Sequence, residues 1–311
     1  MKVPLSISNI TNKEIKLVSD SLKTGWLTHG KNNLDFERKF SSYIDTRYSI
    51  SMNSCTSALE CAVKLIKKKG EIIIPSWTWV STANVVVNAG FKPVFADVDL
   101  NSRNLTAEHI KAKITKKTVG LIVVHFGGMP CDMDPIIKIC KKKNIFLIED
   151  SAETIGATYK NKKTGSFGIG CFSFFPTKNI TTTEGGMLTT NINQQNKFVR
   201  KLIAHGIKKN IKFPWKREAI LPGHNFRMPN HLAALGVSQL KKISYFNKKR
   251  NEFAKLYDAF FKNFPKIFIV QKIPKNFTHS YQMYTLRVNS KHRNSYLKFL
   301  NKNKIGASVH F

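Results

Sequence analysis

Apolar residues follow two rhythms along this chain. Short unbroken runs, such as Glu71-Ile-Ile-Ile-Pro75, alternate with stretches in which apolar positions recur every three or four residues. The runs predict strands at 50–52, 71–75, 92–97, 119–125 and 145–150. The periodic stretches predict helices at 12–24, 34–44, 58–68, 81–89, 107–114 and 135–142. Pro75 stops one strand and Gly90 closes one helix. Strands apolar on both faces and separated by helices belong to a parallel α/β sheet covered on both sides. Ligands of such sheets bind beyond the carboxyl ends of the strands. Ser54, Thr56, Trp79, Asp150 and Lys178 all fall at such ends. From about residue 239 the rhythm changes to a long helical pattern at 240–264, strand-like pieces at 268–271 and 282–288, and a helix at 292–301. The expected organisation is a large domain at 1–238 and a small α+β domain at 239–311.

Composition narrows the class. The 311 residues, 42% hydrophobic and 23% charged, suit a soluble globular protein with a large core. No apolar run approaches the roughly 20 residues needed to span a bilayer. The opening Met1-Lys-Val-Pro-Leu-Ser-Ile-Ser lacks the apolar core of a signal peptide. A cytoplasmic protein without a membrane partner is expected. Five cysteines, at 55, 61, 131, 140 and 171, include no C-x-x-C pair, so neither a disulfide framework nor a metal site is indicated. The formal charge of +32 is carried partly by runs such as Lys67-Lys-Lys69 and Lys141-Lys-Lys143, which lie in or after amphipathic helices. They lack interleaved aromatics and read as solvated faces, so nucleic acid is not an expected partner.

The chemistry centres on Gly170-Cys-Phe-Ser-Phe-Phe-Pro-Thr-Lys178, which carries a lysine from an apolar strand into a Thr/Gly-rich turn ending at Gly186. Burial there disfavours an ammonium ion, and a neutral lysine amine is a nucleophile suited to a Schiff base with an aldehyde cofactor. Asp150 follows the buried strand Phe146-Leu-Ile-Glu-Asp150, a costly place for an unpaired carboxylate. It is read either as the partner of a buried cation or as a helix N-cap. Asn53-Ser-Cys-Thr-Ser57 opens a helix with hydroxyls and free backbone N–H groups, an anion site.

Together these segments resemble the DegT/DnrJ/EryC1/StrS family of pyridoxal-phosphate (PLP) sugar aminotransferases. The resemblance implies an aspartate-aminotransferase-like α/β fold, with a mostly parallel seven-stranded sheet in the large domain. It makes Lys178 the cofactor lysine and catalytic acid–base, and Asp150 the partner of the ring nitrogen. Thr56, Ser57 and Ser173 would hold the cofactor phosphate; here Cys55 replaces a family glycine, which would be strained if positive φ were needed. Within Pro75-Ser-Trp-Thr-Trp79 the ring-stacking match falls on Trp79, with Trp77 as the alternative. Gly223-His-Asn-Phe-Arg-Met228 matches G-x-N-x-R-M, whose asparagine, Asn225 here, reaches the neighbouring subunit's cofactor and implies a homodimer with shared active sites. Glu153 joins the cofactor-binding set and resembles the branch that aminates 4-keto-6-deoxy sugars, perosamine synthases included. Val124-His-Phe-Gly-Gly128 is read as carrying a structural histidine.

The implied reaction moves an amino group from L-glutamate to a nucleotide-linked keto sugar in cell-surface polysaccharide synthesis, lipopolysaccharide among them. The alternatives are a non-catalytic protein that keeps the fold and a pyridoxamine-phosphate (PMP) sugar dehydratase. Lys178 stands where that dehydratase has histidine. The family continues beyond the segment matching Gly306-Ala-Ser-Val-His-Phe311, so the small domain is expected to be truncated.

Overall fold

A computed structural model describes residues 3–209, 212–213 and 215–310. Its centre is a seven-stranded sheet of β1 (Tyr48–Met52), β2 (Glu71–Pro75), β3 (Lys92–Ala96), β4 (Thr118–Val124), β5 (Phe146–Asp150), β6 (Ile169–Ser173) and β7 (Gly186–Thr190), in the order β1-β7-β6-β5-β4-β2-β3. Strands β3, β2, β4, β5 and β6 are parallel neighbours. β7 is antiparallel to both β6 and β1, so it alone runs against the others.

The helices are α1 (Asn12–Lys23), α2 (Lys31–Ile44), α3 (Cys55–Val63), α4 (Val80–Asn88), α5 (Ala107–Lys111), α6 (Met133–Lys143), α7 (Asn193–Leu202), α8 (Asn230–Phe261) and α9 (Ser290–Lys302). Strand residues alternate between the two layers, as the pleat requires. Ile72, Ile74, Ile122, Ile148, Cys171 and Leu188 pack in one core with the buried residues of α3, α4 and α7. Ile73, Leu121 and Val123 face α5 and α6 on the other side. There Phe172 and Met187 join Phe36 and Phe40 of α2 and Leu240 and Ile243 of α8. Both faces are therefore apolar, which is why the strands read as unbroken runs.

The elements read from the sequence recur with shifts at their ends, and β7 and α7 are present in addition. The helix predicted at 58–68 begins at Cys55, because Ser54 caps it by accepting from the Ser57 N–H at 3.1 Å. The helix predicted at 240–264 starts ten residues earlier, at Asn230, and crosses residues 238–239 without a break. Gly236 lies in that first part. A Cβ there would sit 2.6 Å from the Phe36 ring, so glycine serves close helix packing rather than a turn. Beyond α8 the regular pieces are small: Ile269–Val270 pairs with Leu286–Arg287, and α9 buries no residue fully. Among the described residues no helix is long and apolar enough to cross a membrane.

Candidate active site

The C-terminal ends of the parallel strands deliver one group after another to the same edge. Asp150 ends β5 and is buried. No helix follows it, so the capping reading is dropped. Its Oδ1 accepts from the Ala152 N–H at 3.2 Å, and its Oδ2 accepts from the Thr82 hydroxyl at 3.1 Å. Thr82, fully buried on α4, is itself 2.8 Å from the Thr78 hydroxyl. Burial pushes the Asp150 carboxyl above the usual range despite these hydrogen bonds and the nearby Lys178 charge.

Lys178 lies in the turn between β6 and β7 and is mostly buried, with 16% of its side chain exposed. The turn is tied down on several sides. Asn179 donates to Asn247 and to the Ser280 carbonyl, Gln282 donates to the Thr177 carbonyl, and the Thr182 N–H bonds the Phe174 carbonyl. The ammonium approaches Glu153 Oε1 at 3.3 Å. Glu153 Oε2 accepts from the Gly127 N–H at 2.7 Å. Burial alone would raise the Glu153 pKa, but Lys178, His310 and the Gly127 N–H bring it down to about 2. His310 Nε2 stands 3.4 Å from the same Oε1.

The start of α3 faces this edge. Ser57 Oγ donates to Asn53 Oδ1 at 2.7 Å and lies 2.9 Å from Ser54 Oγ, while Thr56 is exposed. The first N–H groups of a helix have no acceptor within it, so Cys55 and Thr56 present theirs outward. Cys55 is absent from the residues with positive φ, so its replacement of glycine brings no backbone strain. Burial first, then Asp150, pushes its thiol pKa well up. Gly186, opening β7, presses on this turn: a Cβ would lie 2.3 Å from the Ser54 carbonyl. Ser173 ends β6 and is buried.

The remaining candidates lie around the rim. Asn225 bridges to Ala204, and its carbonyl lies 3.5 Å from Asn53 Nδ2 of the same chain. Trp79 caps α4 and is 62% exposed, whereas Trp77 turns an edge to Phe126 at 6.0 Å. The His125 ring is wholly buried between the Cys131 N–H and Glu149, each at 3.0 Å. It is a structural residue, as its segment suggested. Sequence reasoning missed Thr82 and His310. A threonine seven residues after Pro75 and a histidine near residue 310 carry no local signature, and only the topology brings them here.

A lysine, a buried carboxylate and a helix start meeting at the carboxyl edge of an α/β sheet define a cofactor-dependent enzyme of the lysine class. Residues 8–311 match the DegT/DnrJ/EryC1/StrS aminotransferase family, and the chain belongs to it. It is a PLP-dependent sugar aminotransferase. The spore coat polysaccharide biosynthesis protein SpsC of Bacillus subtilis is 35% identical over 99% of this chain and 83% of its own length. The GDP-perosamine synthase of Escherichia coli O157:H7 is 34% identical over 91% of this chain and 77% of its own. Spr1654 of Streptococcus pneumoniae, solved in a PLP form, superposes with a TM-score of 0.93 at 28% identity, covering 100% of this chain and 85% of its own; it has also been solved in a PMP form.

Proposed function

We propose that this aminotransferase carries an amino group from L-glutamate to the ketone of a nucleotide-linked 4-keto-6-deoxy sugar, in the synthesis of a cell-surface polysaccharide such as lipopolysaccharide. The likeness to a GDP-perosamine synthase and to a polysaccharide biosynthesis protein supports this substrate class. The observation that carries the reading is Lys178 held at the same sheet edge as buried Asp150.

The residues present fit PLP. Asp150 is a buried carboxylate, with its pKa pushed up by burial, and a protonated ring nitrogen would relieve that cost. The start of α3, with Thr56, Ser57 and nearby Ser173, offers the donors a phosphate needs. When bound, PLP supplies an electron sink for the charge that develops as the donor loses its Cα proton. Lys178 takes that proton and returns it as general base and acid. Trp79 would stack on the ring face, and Asn225 would reach the cofactor phosphate across a homodimer. Residues 239–311 form the small domain. Five free thiols suit the reducing cytoplasm, where we place the protein.

The test is borohydride trapping with peptide mass spectrometry. The parent is expected to retain PLP on Lys178 after reduction, and Lys178→Ala to retain none and to lose all transamination. Trapping on another lysine would overturn the assignment. Glutamate-dependent amination of nucleotide-linked 4-keto sugars then separates this reading from a dehydratase, which would release no amino sugar.

A further inference from the structure

With 51 lysines and arginines to 19 aspartates and glutamates, carboxylates are scarce, and two arginines share a seam without one. Arg103, in the turn after β3, reaches across to residues 279–287, where its Nη1 donates to the Thr285 hydroxyl at 2.6 Å. Arg287 reaches back, its Nη1 donating to the Leu100 carbonyl at 3.0 Å. A guanidinium carries five N–H donors, and among the described residues each of these commits one. The arginines that pair with carboxylates there are Arg38 and Arg200. Asp99, close in sequence, spends its Oδ1 on the Asn101 N–H, the Ser102 N–H and the Ser102 hydroxyl. Burial, and then the charge of Arg287, bring the Arg103 pKa down to about 10. Beside them lies His279, 4% exposed, near enough for the Arg103 charge to add to burial in holding its pKa at about 3. Its Nδ1 accepts from the Tyr281 N–H at 2.8 Å, so the neutral ring carries its proton on Nε2. That buried N–H has no hydrogen-bond partner among the described residues, which is costly.

We propose that Arg103, Arg287 and the His279 Nε2–H form a binding site for a phosphate group, at the seam between the turn after β3 and residues 279–287. A tetrahedral oxyanion offers acceptors to both guanidiniums at once and screens their repulsion. It also gives the buried imidazole N–H its missing acceptor. The site is distinct from the place offered to the cofactor phosphate. β3 is the last strand on one edge of the sheet, whereas the start of α3 is pressed by Gly186 of β7, next to the other edge. Occupancy reaches the active site through residues 279–287. Ser280 donates to the Glu153 carbonyl at 3.0 Å, and Gln282 donates to the Thr177 carbonyl at 3.1 Å, next to Lys178. A phosphate held between the two arginines fastens to the large domain the segment that braces the lysine turn.

The test is isothermal titration calorimetry of the PLP-loaded protein, so that the cofactor fills its own phosphate site, with chloride holding the ionic strength constant. The probes are inorganic phosphate and adenosine diphosphate. The parent is expected to bind inorganic phosphate, and Arg103→Gln and Arg287→Gln each to weaken it roughly tenfold or more. Lys141→Gln, exposed on α6, should bind as the parent does. Tighter binding of the diphosphate, lost in the same two variants, would give the site to a nucleotide; weaker binding would give it to free phosphate. Nitrogen-15 spectra should show the His279 Nε2–H proton moving downfield when phosphate is added to the parent, and staying in place in Arg103→Gln. Both arginine variants binding phosphate as tightly as the parent, or a parent that binds none, would overturn the site. Arg287 is half-buried, so Arg287→Gln keeps the test informative if Arg103→Gln fails to fold.

Discussion

Thr82 shows how a residue with no chemistry of its own can set a site. Its hydroxyl meets Asp150 Oδ2 at 3.1 Å inside the protein, where an unmet acceptor costs about 1–3 kcal/mol. Thr82→Val keeps the shape and removes the donor. It should weaken PLP binding roughly tenfold, a loss of about 1.4 kcal/mol, whereas Thr82→Ser should stay near the parent; equilibrium dialysis reads both. Sequence reasoning singled out Asp150 and Lys178 because a carboxylate or an amine ending an apolar strand contradicts its surroundings. Thr82 and His310 contradict nothing locally. Their meaning comes from α4 and from residues 306–310 being brought to one edge, and no spacing rule encodes that. Cys55 taught the reverse lesson: at the first position of a helix the backbone does not need the glycine that the family pattern carries there.

At the scale of elements, the start of α3 is positioned by β7. Gly186 sits so close to Ser54 that any side chain would push against main-chain atoms. Gly186→Ala is therefore expected to shift the helix start and to lower PLP affinity at least tenfold. The protein should stay folded, its circular dichroism being unchanged. Affinity equal to the parent would show that the turn yields without consequence. A close contact of the same kind occurs at Gly236. The reading began the helix at 240, yet the ten residues before it are helical too, and Gly236 among them lets α8 pack closely on Phe36. The inner strands were legible because both faces are buried, and the pieces read at 268–271 and 282–288 contain the pairing of Ile269–Val270 with Leu286–Arg287. β7 and the two-residue piece Phe277–Thr278 were not picked out, the latter because two residues carry no period.

The whole molecule should be acid-sensitive in two stages. Burial first, and then Arg103, hold the His279 pKa down from 6.5 to about 3. The unfolded chain binds that proton below about pH 6.5 and the folded chain does not, so stability is full above pH 6.5 and declines toward pH 3. Glu153, held at about 2 against an ordinary 4.5, adds a second loss between those values. Thermal melts across pH should show both, and His279→Asn, which retains an acceptor for the Tyr281 N–H, should flatten the first. The reversed strand β7 has a consequence in time. Because β6 and β7 are adjacent and antiparallel, Lys178 rides on a connection between neighbours in sequence, whereas Asn53–Ser57 and Asp150 reach it through distant pairings. Local contacts close sooner than long loops. A refolding chain is expected to shape its lysine turn early and its anion-binding helix start late, so that the cofactor arrives as the last piece of the fold rather than the seed of it.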